Sequence, residues 1–382
     1  MSSSQKYQAL YIHVPFCSNR CYYCDFETQA VVSDDPQLDD YIAGIKTGLN
    51  SASQEGLLNG IRTVYIGGGT PSHLGERRLF ELVDTIGSHV YLTEDYEFTI
   101  EANPESLTLE MARGLQSLGV NRLSVGVQSF IDSELVTLGR IHDSNTAQRV
   151  LESVHEHVSA LSVDLICGIP GQDKTSWSYS LNKAVALGVT HVSVYPLSVE
   201  EDTPFAQCVA SGKLSAPDED FQASCMELSE DLLVAAGFER YEVASYALPG
   251  FRCRHNMAYW TGLPYLGIGR GAAGMRMTGS YRERLLSGEV VERLCREEAL
   301  LEDIMLGMRM SDGVSSALVE LAYAYVPSIA DVFSELIAYG LVVFENGRYR
   351  PTSRGWFMGN EIFSRIWTCR HPQSQQYDIA NR

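Results

Sequence analysis

The run Cys17-Ser18-Asn19-Arg20-Cys21-Tyr22-Tyr23-Cys24 places three cysteines within eight positions, separated by three and then two residues. Thiolates are soft ligands, and iron–sulfur clusters are held mainly by them. Three thiolates on a cluster of four irons leave one iron without a protein ligand, an open position for chemistry. A structural zinc ion would need a fourth ligand, usually from a second close pair of cysteines. No other two of the nine cysteines are closely spaced. His13 and Asp25 lie near in sequence, so a mixed zinc site stands beside the cluster reading, as do plain unligated thiols.

Other polar residues gain meaning only from the elements that carry them. Strand-like runs are Ala9–Phe16, Thr63–Gly67, Glu97–Glu101, Arg122–Gln128, Ser162–Cys167 and His191–Tyr195. Amphipathic helical patterns lie between them at Asp39–Leu49, Glu76–Ile86, Leu109–Leu118, Thr146–Val158 and Thr175–Leu187. Gly87, Gly119 and Gly188 suit C-caps for three of these helices. Six strands alternating with helices predict a parallel sheet with right-handed crossovers, either open or closed as a barrel. Chemistry in such sheets gathers at the carboxyl ends of the strands. The first strand runs into the cysteines, and the second ends in Gly67-Gly68-Gly69-Thr70-Pro71, where backbone can approach a ligand closely. Glu101 and Gln128 mark the next two strand ends, Arg140 follows the fourth strand, and the fifth carries Asp164 within an otherwise apolar run. Each alone fits a cap or a structural ion pair; a series at successive strand ends fits that poorly.

Bulk composition narrows the class. With 382 residues, 45% of them hydrophobic, the chain can build one large α/β unit and a smaller domain. No run of about 18 apolar residues exists, so no membrane-spanning segment is expected. The first eight residues are short and polar, unlike a signal peptide. Cysteines in such a cytoplasmic chain read as thiols or metal ligands rather than disulfides. A net charge of −19 would repel a phosphate backbone, so nucleic acid is excluded as the expected partner.

The spacing C-x3-C-x2-C, with Tyr23 before the last cysteine, resembles the signature of the radical S-adenosylmethionine (SAM) superfamily. The flanking Tyr11-Ile12-His13-Val14-Pro15-Phe16 and Cys24-Asp25-Phe26 resemble the branch that holds the oxygen-independent coproporphyrinogen oxidases (HemN) and the HemW heme chaperones. The resemblance covers residues 9–310. It implies a partial (β/α)6 barrel over 1–240, a linking region over 241–295 and a smaller, mostly helical, winged-helix-like domain over 296–382. It further implies a 4Fe–4S cluster on Cys17, Cys21 and Cys24. Tyr11, Gly68, Gly69, Thr70, Glu101, Gln128, Arg140 and Asp164 match SAM-contacting positions. A reduced cluster of this kind cleaves the SAM sulfonium to a 5′-deoxyadenosyl radical. SAM carries an ammonium, a carboxylate, a sulfonium and ribose hydroxyls, so these side chains offer it suitable partners.

Two further motifs need sorting. Gly269-Arg270-Gly271-Ala272-Ala273-Gly274 fits G-x-G-x-x-G but lacks the βαβ setting of a dinucleotide site, and reads as a close backbone approach. His255-Asn256-Met257-Ala258-Tyr259-Trp260 matches the HNxxYW motif of the HemW branch, which implies heme contacts from His255, Tyr259 and Trp260. Its plain alternative is an aromatic pair packed beside a hydrogen-bonded histidine. Between 251 and 284 stand six arginines (252, 254, 270, 276, 282 and 284) against the single acid Glu283. Arginines there would suit ionised heme propionates, and His255 or Cys253 could ligate heme iron.

The HemN oxidases usually carry another cysteine two residues after the third, where this chain has Phe26, and a longer N-terminal extension. Both departures point to a heme chaperone that binds heme and a SAM-coordinated cluster. It would deliver heme to acceptor hemoproteins, membrane-associated ones among them. The alternative is an oxidase that decarboxylates coproporphyrinogen III.

Overall fold

The computed structural model describes residues 7–279 and 281–369; the part of the expected C-terminal domain beyond 369 lies outside them. Six parallel strands form its centre: β1 (Ala9–Val14), β2 (Asn59–Gly68), β3 (Tyr91–Ala102), β4 (Arg122–Gln128), β5 (Ala160–Cys167) and β6 (His191–Pro196). Helices α1 (Gln37–Gln54), α2 (Gly75–His89), α3 (Leu109–Ser117), α4 (Asp132–Leu138), α5 (Ser144–Val154) and α6 (Lys174–Ala186) lie between them, and α7 (Pro204–Ala210) and α8 (Glu219–Ala235) follow the sixth strand. Helix α2 runs through Gly87, so that glycine is no cap, whereas Gly119 and Gly188 follow their helices with φ of 94° and 75°. The flanking strands are β7 (Glu239–Arg240), β8 (Ser245–Ala247), β9 (Tyr265–Ile268), β10 (Ala273–Thr278), β11 (Tyr281–Leu286) and β12 (Glu289–Leu294). They extend the sheet to twelve strands in the order β12-β11-β10-β9-β1-β2-β3-β4-β5-β6-β8-β7. Strand β9 is parallel to β1, a seventh parallel strand that the sequence pattern did not show.

Alternation along the central strands divides the sheet into two faces. Leu10, Ile12, Val64, Ile66, Phe98, Ile100, Leu123, Val125, Val163 and Val192 are buried in one core with Leu38, Leu79, Leu82, Leu115, Leu151 and Leu181 of the helices. The intervening residues are Tyr11, Thr63, Tyr65, Glu97, Glu101, Arg122, Ser124, Asp164 and His191. A parallel sheet covered on both faces usually reads as continuous apolar runs. Here one face is polar for its whole length, and that face carries the site.

Residues 241–260 lie against this polar face near the strand beginnings. Helix α9 (Arg254–Trp260) is seated by Glu97, whose carboxylate accepts the backbone N–H groups of Arg254 and His255 at 2.9 Å each. Arg122 donates to the Phe251 carbonyl at 3.2 Å, and His191 meets the Tyr241 hydroxyl at 2.8 Å. Beyond α10 (Arg296–Gly307), three short strands and further helices enclose a second core around Leu301, Ile304, Phe333, Leu336 and Ile366. Its hairpin turns at Asn346-Gly347, both with positive φ (52° and 73°), as that pair favours. Among the described residues no helix is long and apolar enough to cross a membrane.

Candidate functional site

A cavity of about 400 Å³ opens at the carboxyl ends of the central strands. Cys17, Cys21 and Cys24 line it together with Gly68, Gly69, Thr70, Glu101, Gln128, Arg140 and Asp164. Ten positions singled out in the sequence thus meet around one space.

The cysteine loop is held from several sides. Backbone N–H of Tyr22 donates to the Leu138 carbonyl at 3.0 Å, and Asn19 donates to the Gly139 carbonyl at 3.1 Å. Thr70 Oγ1 approaches Cys17 Sγ at 3.4 Å, and Arg140 Nη1 donates to Cys21 Sγ at 3.3 Å. Burial pushes the Cys17 thiol up to about 11 and raises Cys24 as well, so thiolates there need a positive partner. Of the two residues that lie near the cysteines in sequence, Asp25 lines the cavity with them and His13 does not. His13 Nδ1 is engaged by the Tyr11 hydroxyl at 2.8 Å. Among the described residues no three His, Cys, Asp or Glu side chains are gathered to hold a single metal ion.

The glycine turn is fixed by close approach. At Gly68 φ is 114°, and a Cβ would lie 2.5 Å from the His13 ring; at Gly69 it would lie 2.6 Å from the Phe16 carbonyl oxygen. Gln128 has φ of 69° beside a shift in β4–β5 register, so a bulge turns this side chain into the cavity. Nothing in the sequence signalled that bulge.

The two carboxyls differ in their support. Glu101 accepts from the Tyr65 hydroxyl at 2.7 Å and from Gly68 N–H at 2.9 Å. Burial nevertheless pushes it up to about 7, with Asp164 adding to the rise. Asp164 accepts from Ser124 at 3.4 Å and is also raised by burial. Two half-buried acids without a bonded cation suit a cationic ligand that also brings hydroxyls.

Sequence reasoning missed part of the wall. Asn103 donates to Thr70 Oγ1 and to Glu105, each at 3.1 Å, and Glu105 in turn meets His142 at 3.2 Å. Tyr195, Ser198 and Glu200 line the cavity from beyond the sixth strand. Its carboxyl end was the available signal for them. Phe26 lines the same cavity and is exposed.

Tyr11, His255, Tyr259 and Trp260 are not in that wall. His255 is fully buried on the polar face, with Nδ1 at 2.8 Å from Thr63 Oγ1 and Nε2 at 2.8 Å from the Tyr259 hydroxyl. Trp260 lies against Arg309, whose guanidinium carbon is 5.3 Å from its ring. Cys253 is buried, with its thiol 3.6 Å from Glu97. Five of the six arginines are paired with acids, most of them from outside the segment. Arg252 pairs with Glu239, Arg254 with Asp95, Arg276 with Glu283, Arg282 with Glu302 and Asp303, and Arg284 with Glu292 and Glu302. Arg270 instead lies over the Phe16 ring at 5.7 Å.

Comparison with known proteins matches residues 11–183 to the radical SAM superfamily and residues 294–358 to the HemN C-terminal domain. The heme chaperone HemW of Mycobacterium tuberculosis (strain H37Rv) is 35% identical over 369 residues, covering 92% of this chain and 93% of that protein. HemW of Bacillus subtilis is 32% identical, covering 93% and 98%. The chain belongs to the HemW family of radical SAM proteins. HemW of Escherichia coli is 37% identical over 267 residues, 70% of this chain and 69% of that one. The solved coproporphyrinogen III oxidase HemN of Escherichia coli shares the fold, with TM-score 0.80 and 19% identity over 95% of this chain and 91% of that one. As in other radical SAM proteins, membership in the HemW family implies SAM and a 4Fe–4S cluster.

Proposed function

We propose that the chain is a heme chaperone that binds heme and a SAM-coordinated 4Fe–4S cluster and delivers heme to acceptor hemoproteins. The observation supporting the cofactor half is the convergence of three thiols, two half-buried carboxyls and Arg140 on one cavity. Cys17, Cys21 and Cys24 would hold the cluster. Gly68, Gly69, Thr70, Glu101, Gln128, Arg140 and Asp164 would hold SAM, and Tyr11, which stands outside the cavity wall, is kept as a further proposed contact. When bound, the reduced cluster supplies an electron for cleaving SAM. The chain's own contribution is to steady two sulfurs through Thr70 and Arg140 and to offer Glu101 and Asp164 as anionic partners.

The heme half rests on the HemW relatives and on the HNxxYW segment. We assign heme contacts to His255, Tyr259 and Trp260. Both imidazole nitrogens are occupied in the structure, so ligation by His255 requires α9 to leave its seat. Acceptors, membrane-associated ones included, would be met in the cytoplasm; all nine cysteines are free thiols, in keeping with a reducing compartment. The proposed division remains a radical SAM core to 240, a linking region to 295 and a C-terminal domain beyond.

The shared HemN fold keeps an oxidase as the second reading. Anaerobically reconstituted protein is incubated with SAM, a reductant and coproporphyrinogen III, and in parallel with heme followed by an apo-hemoprotein. Heme uptake and transfer without protoporphyrinogen IX is expected. SAM-dependent formation of protoporphyrinogen IX would overturn the chaperone assignment.

A further inference from the structure

The polar face connects α9 to the pocket through a short series of side chains. The Tyr65 hydroxyl donates to Glu101 Oε1 at 2.7 Å, and the Tyr65 ring stacks on His255 with centroids 5.0 Å apart and planes at 28°. His255 is held in turn by Thr63 and by Tyr259, whose ring meets it edge-on at 5.0 Å. The seat of α9 is Glu97, on the same strand and the same face as Glu101, four residues earlier. The Thr63–His255 link is buried and the Tyr65–Glu101 and His255–Tyr259 links are partly so, which limits replacement of a lost hydrogen bond by water.

We propose that Tyr65 is a positioning residue for Glu101 and that His255 holds Tyr65, so that α9 and the pocket are coupled through these three side chains. The coupling rests on the reading of the cavity as the SAM site. It gives the HNxxYW segment a task in the resting protein: its histidine braces the donor that orients a pocket carboxylate. Displacing α9 frees the Tyr65 ring, removes a donor from Glu101 and weakens its charged form. By linkage, whatever moves α9 alters SAM affinity, and SAM alters the affinity for whatever moves α9.

The ionisable groups facing Glu101 are Tyr65 from β2, Asp164 from β5, Tyr11 from β1, Tyr195 from β6 and Tyr259 from α9. Of these, Asp164 raises its pKa and the Tyr65 hydrogen bond lowers it. Removing the hydroxyl therefore shifts the titration of Glu101 upward, a change that loose packing alone does not produce.

The test uses the full chain with its cluster reconstituted and SAM as probe, in equilibrium dialysis from pH 6 to 8.5. Tyr65→Phe keeps the ring and should bind SAM roughly five- to ten-fold more weakly at pH 7, with most of the affinity restored at pH 8.5. His255→Ala should shift the profile in the same direction, and the double variant should lose little more than either alone. Additive losses, or an unmoved pH profile in Tyr65→Phe, would overturn the coupling. A second readout, the pH dependence of urea unfolding without SAM, reports on Glu101 directly. If the wild type takes up its cluster and fails to bind SAM, the cavity reading falls. The unfolding profile of Tyr65→Phe against wild type then decides the relay by itself: an upward shift supports it, and no shift overturns it.

Discussion

Arg140 donates from Nη1 to Cys21 Sγ at 3.3 Å and from Nη2 to the Gly126 carbonyl at 2.6 Å. One guanidinium therefore ties the cysteine loop to the end of β4 while still facing the cavity. Arg140→Ala should weaken SAM binding by about 1–3 kcal/mol with iron content retained. Arg140→Lys should recover only part of that, because an ammonium cannot serve two fixed acceptors as the fork does. Equal SAM affinity in all three proteins would make Arg140 a structural tie alone.

Cluster content separates the cysteines. Anaerobic reconstitution should give about four irons and four sulfides per chain, as expected for a three-thiolate cluster. Cys17→Ala, Cys21→Ala and Cys24→Ala should each abolish it. Cys208→Ala and Cys369→Ala, outside the cavity wall, should not. Tightly bound zinc at one per chain, with no iron uptake, would refute the cluster.

Glu101 makes the unliganded protein sensitive to pH. Its folded pKa of about 7 exceeds its ordinary value of 4.5. The stability tied to its neutral form is complete below pH 4.5 and is lost as the pH rises through 7. Glu101→Gln is neutral throughout and escapes that loss. The variant should gain on the wild type by up to about 3 kcal/mol across this window, at 1.36 kcal/mol per pKa unit. Urea midpoints at several pH values measure the difference, and a constant gap would show that Glu101 titrates normally.

The proposed ligation of heme by His255 predicts a spectroscopic consequence. His255→Ala should change the absorption spectrum of bound heme, whereas Tyr259→Phe and Trp260→Leu should lower affinity without altering ligation. Cys253→Ala is the necessary comparison, because that thiol lies two residues away. Heme uptake with an unchanged spectrum in all four variants would locate the site elsewhere.

The arginine pairs make a stability prediction. Arg282 and Glu302 are both buried and meet at 2.7 Å. Arg282→Met should destabilise the fold by about 3–5 kcal/mol, because Asp303 loses Arg282 and Glu302 keeps Arg284 alone, while adding Glu302→Leu should restore only part of it, since Asp303 still lacks Arg282. Thermal unfolding measures both. A neutral single variant would free this arginine for a ligand role.

The central strands were legible because their alternation and bounding glycines are local. Arg122–Gln128 was read with the bounds it has in the structure, and the carboxyl-end rule led directly to Glu101, Gln128, Arg140 and Asp164. Long-range pairing was not legible. Strand β9 joins β1 across some 250 positions, and the acids that neutralise Arg252, Arg254, Arg282 and Arg284 all lie outside the segment that suggested a basic patch. Gly87 was misread because a glycine near a helix end favours a cap without requiring one. The role of Tyr65 escaped notice because a tyrosine in a strand looks like core until its hydroxyl partner is known.

The cancellation of these arginines has a kinetic consequence. With five of the six arginines paired to acids, the −19 charge of the whole chain is expected to set the sign of the field near α9. An anionic ligand such as heme then approaches against a repulsive potential rather than down an attractive one. Its association rate should rise with added salt as the repulsion is screened over a Debye length of about 10 Å at 0.1 M. A surface built to attract its ligand electrostatically would show the opposite slope.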